Sequence, residues 1–307
     1  MHPYGLIVLL ILTATLLLSL SLLRKKVTRT LYQPIRKHLT FKGFSYKDIY
    51  ISVLSRKWSL GRKEHKGPNI NLWLFDEWPD KPVLLYFHGN SQNISYREYM
   101  IRLCQLMQIN ILLVDYRGYG RSDGKASCRN ILRDARVSMD FLLETHKEER
   151  IYVWGESLGG TPACYIASKY PKIAGLILFS TFASFHQLME GADTMKKYLT
   201  YNLARLVTND IDYYTNNLGM VSHINRVPVM VLHSKEDTLI PYSNARRLFN
   251  SIPHENKKFV TIYGDHIEPE VTVAHIKEIT DFIGLQVDNK TLKKMQSTIN
   301  ELVIPTE

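Results

Sequence analysis

The chain opens on one long apolar run, which is different in character from everything that follows it. Tyr4 to Leu23 contains twenty residues without a charge, and as a helix this run would be about 30 Å long, the thickness of a bilayer core. Only Met1-His2-Pro3 precedes it, and Arg24-Lys25-Lys26 follows it in place of a small-residue cleavage site. This arrangement favours an uncleaved transmembrane anchor at 4–23 over a cleaved signal peptide.

Beyond residue 45, short apolar runs alternate with stretches of helical period. The first two runs alternate apolar and polar residues, as half-buried strands of an antiparallel edge pair do, whereas the later runs are continuously apolar, as in strands covered on both faces. The pattern predicts a largely parallel sheet with helices on both sides. The predicted strands are 48–53, 69–75, 83–87, 110–115, 151–154, 173–179, 227–233 and 259–263, and the predicted helices are 94–107, 127–145, 158–169, 243–252 and 269–283.

This alternation divides the chain into an anchor, a basic linker at 24–45, an α/β domain at 46–285 and a polar tail or frayed helix at 286–307.

One interval inside the α/β domain does not follow the alternation of strands and helices. About forty residues with several apolar and aromatic positions separate two core strands between Phe185 and Arg226. An insertion of this length suggests a small helical cap at about 186–226, and ordinary surface helices are the alternative.

Charge is concentrated next to the apolar run. The formal net charge is +10, and residues 24–66 hold thirteen Lys and Arg against two acidic residues, which leaves 67–307 at −1. A nucleic-acid-binding protein should carry its basic patch on the folded domain, so an anionic lipid surface is the better partner, and no nucleic acid is expected.

The basic flank also predicts that the domain faces the cytoplasm. Sequons at Asn93 and Asn289 would permit the opposite face, but a glycan at Asn93 would lie close to the site predicted below.

The three cysteines predict neither a disulfide framework nor a metal site. Cys104, Cys128 and Cys164 are odd in number, widely spaced and without a CxxC pair. They are typical of small buried side chains in a reducing compartment. No His/Cys cluster has metal-ligand spacing, so no metal and no cofactor is predicted.

Candidate chemistry lies at the carboxyl ends of the predicted strands, where α/β sheets carry their sites. Ser157 stands between Gly155 and Gly159, at a strand-to-helix turn that needs neighbours without bulk. Asp237 and His266 follow two later strands. Serine attacks only when a base takes its proton, histidine is suited to that role, and a carboxylate orients the imidazole. The sequence therefore predicts a Ser157–His266–Asp237 triad.

Two backbone N–H groups, those of Leu158 and Asn90, are predicted to hold the oxyanion. His88 beside Asn90 is interpreted as a structural support of that turn rather than a second base. Among the acids, Glu236 is the nearest rival of Asp237, and Asp265 is interpreted as a surface neighbour of His266. Three further charged residues are expected to lock the glycine-rich loop that follows strand 110–115 rather than to touch substrate: Asp115, Arg117 and Asp123.

The chain resembles the α/β-hydrolase-fold serine hydrolases, and among them the membrane-anchored α/β-hydrolase-domain proteins. The matching stretches cover about residues 70–285: Phe87-His88-Gly89-Asn90, Asp115 to Ser122, Gly155 to Gly160, His233 to Pro241 and Gly264-Asp265-His266. The resemblance implies an eight-stranded sheet, a Ser-Asp-His triad and hydrolysis of acyl esters or thioesters, including lysophospholipids, monoacylglycerols or acylated proteins.

The leading hypothesis is thus a membrane-tethered serine hydrolase that works through an acyl-enzyme on lipid-like or acylated substrates. The alternative is a catalytically silent membrane scaffold, which would be expected to have lost a triad residue. Dehalogenase or epoxide-hydrolase chemistry would need Asp in place of Ser157, so serine argues against both.

Overall fold

A computed structural model describes residues 3–40, 44–61, 66–189 and 208–303. The helices are α1 (Pro3–Leu31), α2 (Glu98–Met107), α3 (Cys128–Leu143), α4 (Gly160–Lys169), α5 (Phe185–Met189), α6 (208–214), α7 (Asn217–Val221), α8 (Tyr242–Ser251), α9 (Val273–Ile283) and α10 (Asn289–Val303). The strands are β1 (Gln33–Pro34), β2 (Lys47–Ser52), β3 (Trp58–Leu60), β4 (Asn69–Phe75), β5 (Val83–Phe87), β6 (Ser91–Gln92), β7 (Asn110–Asp115), β8 (Ile151–Glu156), β9 (Gly175–Phe179), β10 (Val229–Ser234), β11 (Lys257–Gly264) and β12 (Pro269–Glu270).

Ten of the described strands form one mixed sheet, in the order β12-β11-β10-β9-β8-β5-β7-β4-β2-β3. Neighbours from β11 to β7 run parallel, whereas the β4–β7, β2–β4, β2–β3 and β11–β12 pairs are antiparallel. The predicted antiparallel edge pair is therefore confirmed. The expected count of eight strands was too low, because β3 and β12 are short strands that add one pairing at each edge.

Each central strand is buried on both faces because helices cover both sides of the sheet. Along β5, Val83, Leu85 and Phe87 pack with α3, α4, α7 and α8, while Leu84 and Tyr86 pack with α2, α9 and α10. The continuous apolar runs arise from this two-sided burial.

The polar C-terminal segment is more ordered than its composition predicted. Residues 289–303 form α10, whose Leu292, Met295 and Ile299 are buried against α2 and α9. Three apolar positions at helical spacing are enough to hold a polar helix on a sheet-covering layer.

At the other end of the chain, α1 is continuous from the apolar run into the basic residues. In the part of the chain that the structure describes, no helix is long and apolar enough to span a membrane. The anchor predicted at 4–23 is therefore not confirmed. Within the basic linker predicted at 24–45, residues 32–40 lie along the sheet domain and hydrogen-bond to it.

Of the predicted cap at about 186–226, residues 190–207 lie outside the described residues. Its described parts contain the end of α5, together with α6 and α7. The α7 residue Val221 is buried against the sheet layer, so this part of the insertion belongs to the hydrophobic core.

Candidate active site

Ser157 lies at the tip of the turn between β8 and α4 and has a strained backbone. Its φ is +52°, a left-handed value that a non-glycine residue adopts only when its surroundings impose it. The Thr181 hydroxyl donates to the Ser157 carbonyl at 2.6 Å, which holds the turn from the neighbouring strand end. This geometry is that of a nucleophile elbow, in which the hydroxyl is lifted out of the sheet.

Glycine is required around this turn because other backbone lies too close for a side chain. A Cβ on Gly159 would stand 2.0 Å from the Phe87 carbonyl oxygen, and one on Gly155 would stand 2.4 Å from the Gly159 carbonyl oxygen. The Gly-x-Ser-x-Gly spacing thus reflects close approach of α4 to both β5 and β8.

The structure brings the three predicted triad residues together. Ser157 Oγ lies 3.0 Å from His266 Nε2, and His266 Nδ1 lies 2.7 Å from Asp237 Oδ2. Since a carboxylate can only accept, Nδ1 carries the proton and Nε2 is left to accept from the serine. Asp237 Oδ1 accepts the amides of Leu239 and Ile240 at 3.0 and 2.6 Å, which fix the carboxylate.

The rival acids lie elsewhere. Glu236 accepts the Gly264 amide at 2.8 Å. Asp265 accepts the Thr238 amide, the Thr238 hydroxyl and the His266 amide, and these hydrogen bonds lower the pKa of its carboxyl. Both acids therefore shape the loops that carry the triad, and neither pairs with the imidazole of His266.

The predicted oxyanion turn lies against the nucleophile. A Cβ on Gly89 would be 3.5 Å from Ser157 Cβ. The His88 ring is fully buried, and its Nδ1 donates to the Gly89 carbonyl at 2.7 Å. No peptide bond of the described residues is cis, so the Asn90 N–H points opposite to that carbonyl. His88 thereby sets the direction of the Asn90 amide, while Leu158 N–H stands at the first turn after the serine.

A half-buried polar cluster lies beneath the Ser157 turn and was not predicted. The Glu156 carboxylate accepts from the hydroxyls of Tyr86 and Tyr99, the latter at 2.6 Å. Burial raises the pKa of Glu156, but the charge of Arg97 and the two hydroxyls lower it below its ordinary range. The only sequence signal was an acid between Gly155 and Ser157, which spacing alone cannot place inside or outside the sheet.

His233 was also missed as a neighbour of the triad. Its ring is fully buried, with Nε2 donating to the Ile240 carbonyl at 2.8 Å and lying 3.4 Å from Asp237 Oδ2. Burial lowers the pKa of this imidazole, so it remains neutral beside the carboxylate. A histidine at the end of a buried strand was the available signal.

Comparison with known families agrees with this architecture. Residues 82–210 match the family model described as the alpha/beta hydrolase fold. That segment runs from β5 through the nucleophile turn.

Three curated relatives illustrate the similarity. Protein bem46 of Schizosaccharomyces pombe is 29% identical over 193 residues, 61% of this chain and 62% of that protein. The lysophosphatidylserine lipase ABHD12 of Danio rerio is 26% identical over 198 residues, 57% of this chain and 50% of the relative. The uncharacterized membrane protein YNL320W of Saccharomyces cerevisiae is 28% identical over 219 residues, 70% and 75% of the two chains. The match thus spans less than two thirds of the first two relatives' lengths.

Among solved structures, the Pyrococcus furiosus esterase Pf2001 superposes with a TM-score of 0.58 at 16% identity, covering 88% of this chain and 99% of the esterase. Identity at this level speaks for the fold alone. Together, the family match, the sheet order and this superposition show that the chain is an α/β-hydrolase-fold protein.

Proposed function

We propose that this protein is a serine hydrolase that cleaves carboxylic ester or thioester bonds through an acyl-enzyme. The observation that carries the proposal is the position of the His266 imidazole, which bridges Ser157 Oγ at 3.0 Å and Asp237 Oδ2 at 2.7 Å. In the first step, Ser157 Oγ attacks the acyl carbonyl carbon and His266 Nε2 takes the hydroxyl proton. Asp237 stabilises the imidazolium that forms.

Charge on the carbonyl oxygen is met by the Asn90 and Leu158 N–H groups, at a site next to the strained serine. One such donor contributes about 2.7–4 kcal/mol to transition-state stabilisation in enzymes of this type. When the tetrahedral intermediate collapses, His266 returns the proton to the leaving alkoxide or thiolate. Water then repeats the sequence in place of the serine and releases the acid.

Lipid-like or acylated molecules are the substrate class that the exposed apolar side chains near the triad favour. Leu239 and Ile267 flank the triad acid and base in sequence and are 55% and 67% exposed. Exposed apolar side chains beside a triad suit an acyl chain better than a polar substrate. The zebrafish relative is named for a lysophospholipid substrate, so lysophosphatidylserine belongs in the first substrate panel, with monoacylglycerols and acyl thioesters.

We also propose that α1 attaches the enzyme to a membrane as a single-pass anchor, with the catalytic domain in the cytoplasm. Ten of its large apolar side chains are at least 50% exposed. So large an exposed apolar surface on one helix is typical of a segment that contacts a membrane or another protein. The basic turns after them suit an anionic leaflet. Asn93, one of the two sequons, is fully buried, so the folded domain does not offer it for glycosylation.

The test of the activity is active-site labelling with a fluorophosphonate, followed by hydrolysis of short p-nitrophenyl esters. We expect wild type to be labelled at Ser157, and Ser157→Ala to lose labelling and hydrolysis together. Ser168→Ala is the matched control, because the Ser168 hydroxyl donates to the Tyr165 carbonyl within α4, away from the triad. A folded wild type that neither labels nor hydrolyses any ester or thioester would favour the silent scaffold.

A further inference from the structure

The segment after α1 is bound to the turn that would hold the oxyanion. We call residues 32–40 the strap. Its β1 pairs with β6 in parallel, with Gln33 opposite Ser91. The Gln33 N–H donates to the Asn90 carbonyl at 2.9 Å, and the Tyr119 hydroxyl donates to the same oxygen at 2.7 Å. The strap therefore contacts the residue whose N–H is the proposed oxyanion donor.

A buried line of ionisable side chains makes the second connection. His38 Nε2 lies within hydrogen-bond distance of Asp115 Oδ2, at 3.3 Å, whereas His88 Nε2 lies 3.6 Å from Asp115 Oδ1 and has no hydrogen-bond partner among the described residues. All three side chains are at most 7% exposed. Since His88 Nδ1 donates to the Gly89 carbonyl, the line runs from the strap to the peptide bond that carries the Asn90 N–H.

Several contacts hold the strap in this position. The Asn93 amide donates to the carbonyls of Ile35 and Lys37 at 2.9 and 2.8 Å. Arg36 donates to carbonyls of the glycine-rich loop, among them that of Ser122. Gly120 is required here, because a Cβ on it would stand 2.0 Å from Asp115 Oδ2 and 2.6 Å from His38 Nε2. A surface linker needs none of these contacts.

We infer that the strap is a positioning element of the active site, in which Gln33 and His38 orient the oxyanion-binding turn 88–91 from outside the sheet. The inference rests on the proposed hydrolase function and deepens it. Both peptide bonds flanking the Asn90 Cα are held: the Gly89 carbonyl by His88, and the Asn90 carbonyl by Gln33 and Tyr119. The direction of the Asn90 N–H therefore depends on the strap, and displacement of a catalytic donor by about 1 Å costs about 100-fold in rate.

Kinetics of His38 variants in the full-length chain test this inference. For His38→Ala we expect kcat for p-nitrophenyl butyrate to fall about 10- to 100-fold with KM within twofold of wild type. His38→Gln should recover most of the rate, because the glutamine amide can occupy the place of Nε2 and donate to Asp115. The matched control is Lys37→Ala, since the Lys37 side chain is exposed and its hydrogen bond to the described part of the domain comes from the backbone carbonyl, which alanine keeps.

Affinity for a trifluoromethyl ketone separates positioning from general destabilisation. This inhibitor forms a tetrahedral adduct whose oxyanion needs the Asn90 N–H, so its affinity should fall in proportion to kcat in His38→Ala and return in His38→Gln. A fall in kcat without a fall in inhibitor affinity, or unchanged values for both, would overturn the inference.

A backbone pair covers the case in which His38→Ala fails to fold. Gln33→Pro removes the N–H that reaches the Asn90 carbonyl, whereas Gln33→Ala retains it. We expect only the proline variant to lose kcat and inhibitor affinity, and equal behaviour of the two would count against the strap. Absence of labelling and turnover in wild type is a separate result, because it rejects the hydrolase function itself.

Discussion

At the scale of single residues, the site depends on positions where backbone segments nearly touch. Ser157 is held at positive φ, and Gly159 contacts the last residue of β5, so the nucleophile and the oxyanion turn are built on the same close approach. Strain of this kind costs about 1–3 kcal/mol and persists only where the surrounding structure imposes it.

Gly159→Ala should be far more damaging than an alanine at a glycine that merely has positive φ. Its Cβ would overlap the Phe87 carbonyl at 2.0 Å, and because that oxygen belongs to a central strand it has no room to move. Gly284→Ala is the comparison, since Gly284 ends α9 at φ +79° and its Cβ would have nothing within 4 Å, so that only the left-handed backbone should cost about 1–2 kcal/mol. Thermal unfolding of both variants measures the difference, and similar losses would contradict it.

Asp237→Asn should lower kcat by about 10⁴-fold without unfolding the protein, because an amide favours the wrong imidazole tautomer. The control is the adjacent Glu236→Gln, whose carboxylate accepts the Gly264 amide rather than the imidazole. It should stay within about tenfold of wild type. Steady-state kinetics on a p-nitrophenyl ester distinguish the two acids, and a larger loss at Glu236 would reassign the triad.

At the scale of elements, β8 is joined to β5 and α2 by the half-buried Glu156 cluster. Tyr86 on β5 and Tyr99 on α2 both donate to this carboxylate, and Arg97 precedes α2. Because the Glu156 carboxylate accepts from hydroxyls of two other elements, this cluster ties the strand before Ser157 to the helix layer behind it.

Glu156→Gln should therefore destabilise the fold at neutral pH and matter less in acid. The pKa of Glu156 is lowered in the folded state, so the folded protein binds this proton less readily than the unfolded chain does. The stabilisation is present above the ordinary carboxyl range and is lost as pH falls through the folded pKa. Differences in Tm between wild type and variant, measured from about pH 7 to about pH 3, should shrink as pH falls below the ordinary carboxyl range.

Glu98→Gln provides the control for this titration, because Glu98 pairs with Arg102 one helical turn away at the surface of α2. An exposed pair of this kind contributes little to stability. A difference for Glu156→Gln that stays constant or grows in acid would contradict the assigned direction of the pKa.

At the scale of the whole molecule, α1 and the candidate active site are connected through the strap. The helix ends at Leu31, and the next nine residues cross the oxyanion turn and the glycine-rich loop. Under the proposed membrane attachment, the enzyme would therefore lie close to lipid substrates. The strap would also fix the position of the candidate active site relative to the lipid surface.

Membrane attachment predicts that full-length protein stays with membranes during carbonate extraction. Leu12→Arg combined with Leu16→Arg should release it, because each arginine near the centre of an apolar helix costs about 2.5–3.5 kcal/mol on insertion. Lys25→Arg keeps the basic flank and is the control. Hydrolysis of a soluble ester should persist in the released variant, and release of the unaltered protein would refute the attachment.

The central strands of the sheet and the order of the candidate catalytic residues along the chain were predictable from the sequence. Continuous apolar runs located the central strands because those strands are buried on both faces, and the carboxyl ends of parallel strands collect Ser157, Asp237 and His266 on one edge. Their predicted roles needed only residue type and place in this order.

The polar residues that support the site could be found only from the three-dimensional contacts. Nothing in local composition distinguishes Glu156 beneath the serine from an exposed acid, or His38 in the strap from a solvated histidine in a basic linker. Both depend on contacts between segments distant in the chain: α2 with β8, and residues 32–40 with the turn 88–91. The periodicity of apolar residues predicts which face of each segment is buried. The direction of the Asn90 N–H, in contrast, depends on contacts between segments that are distant in the chain.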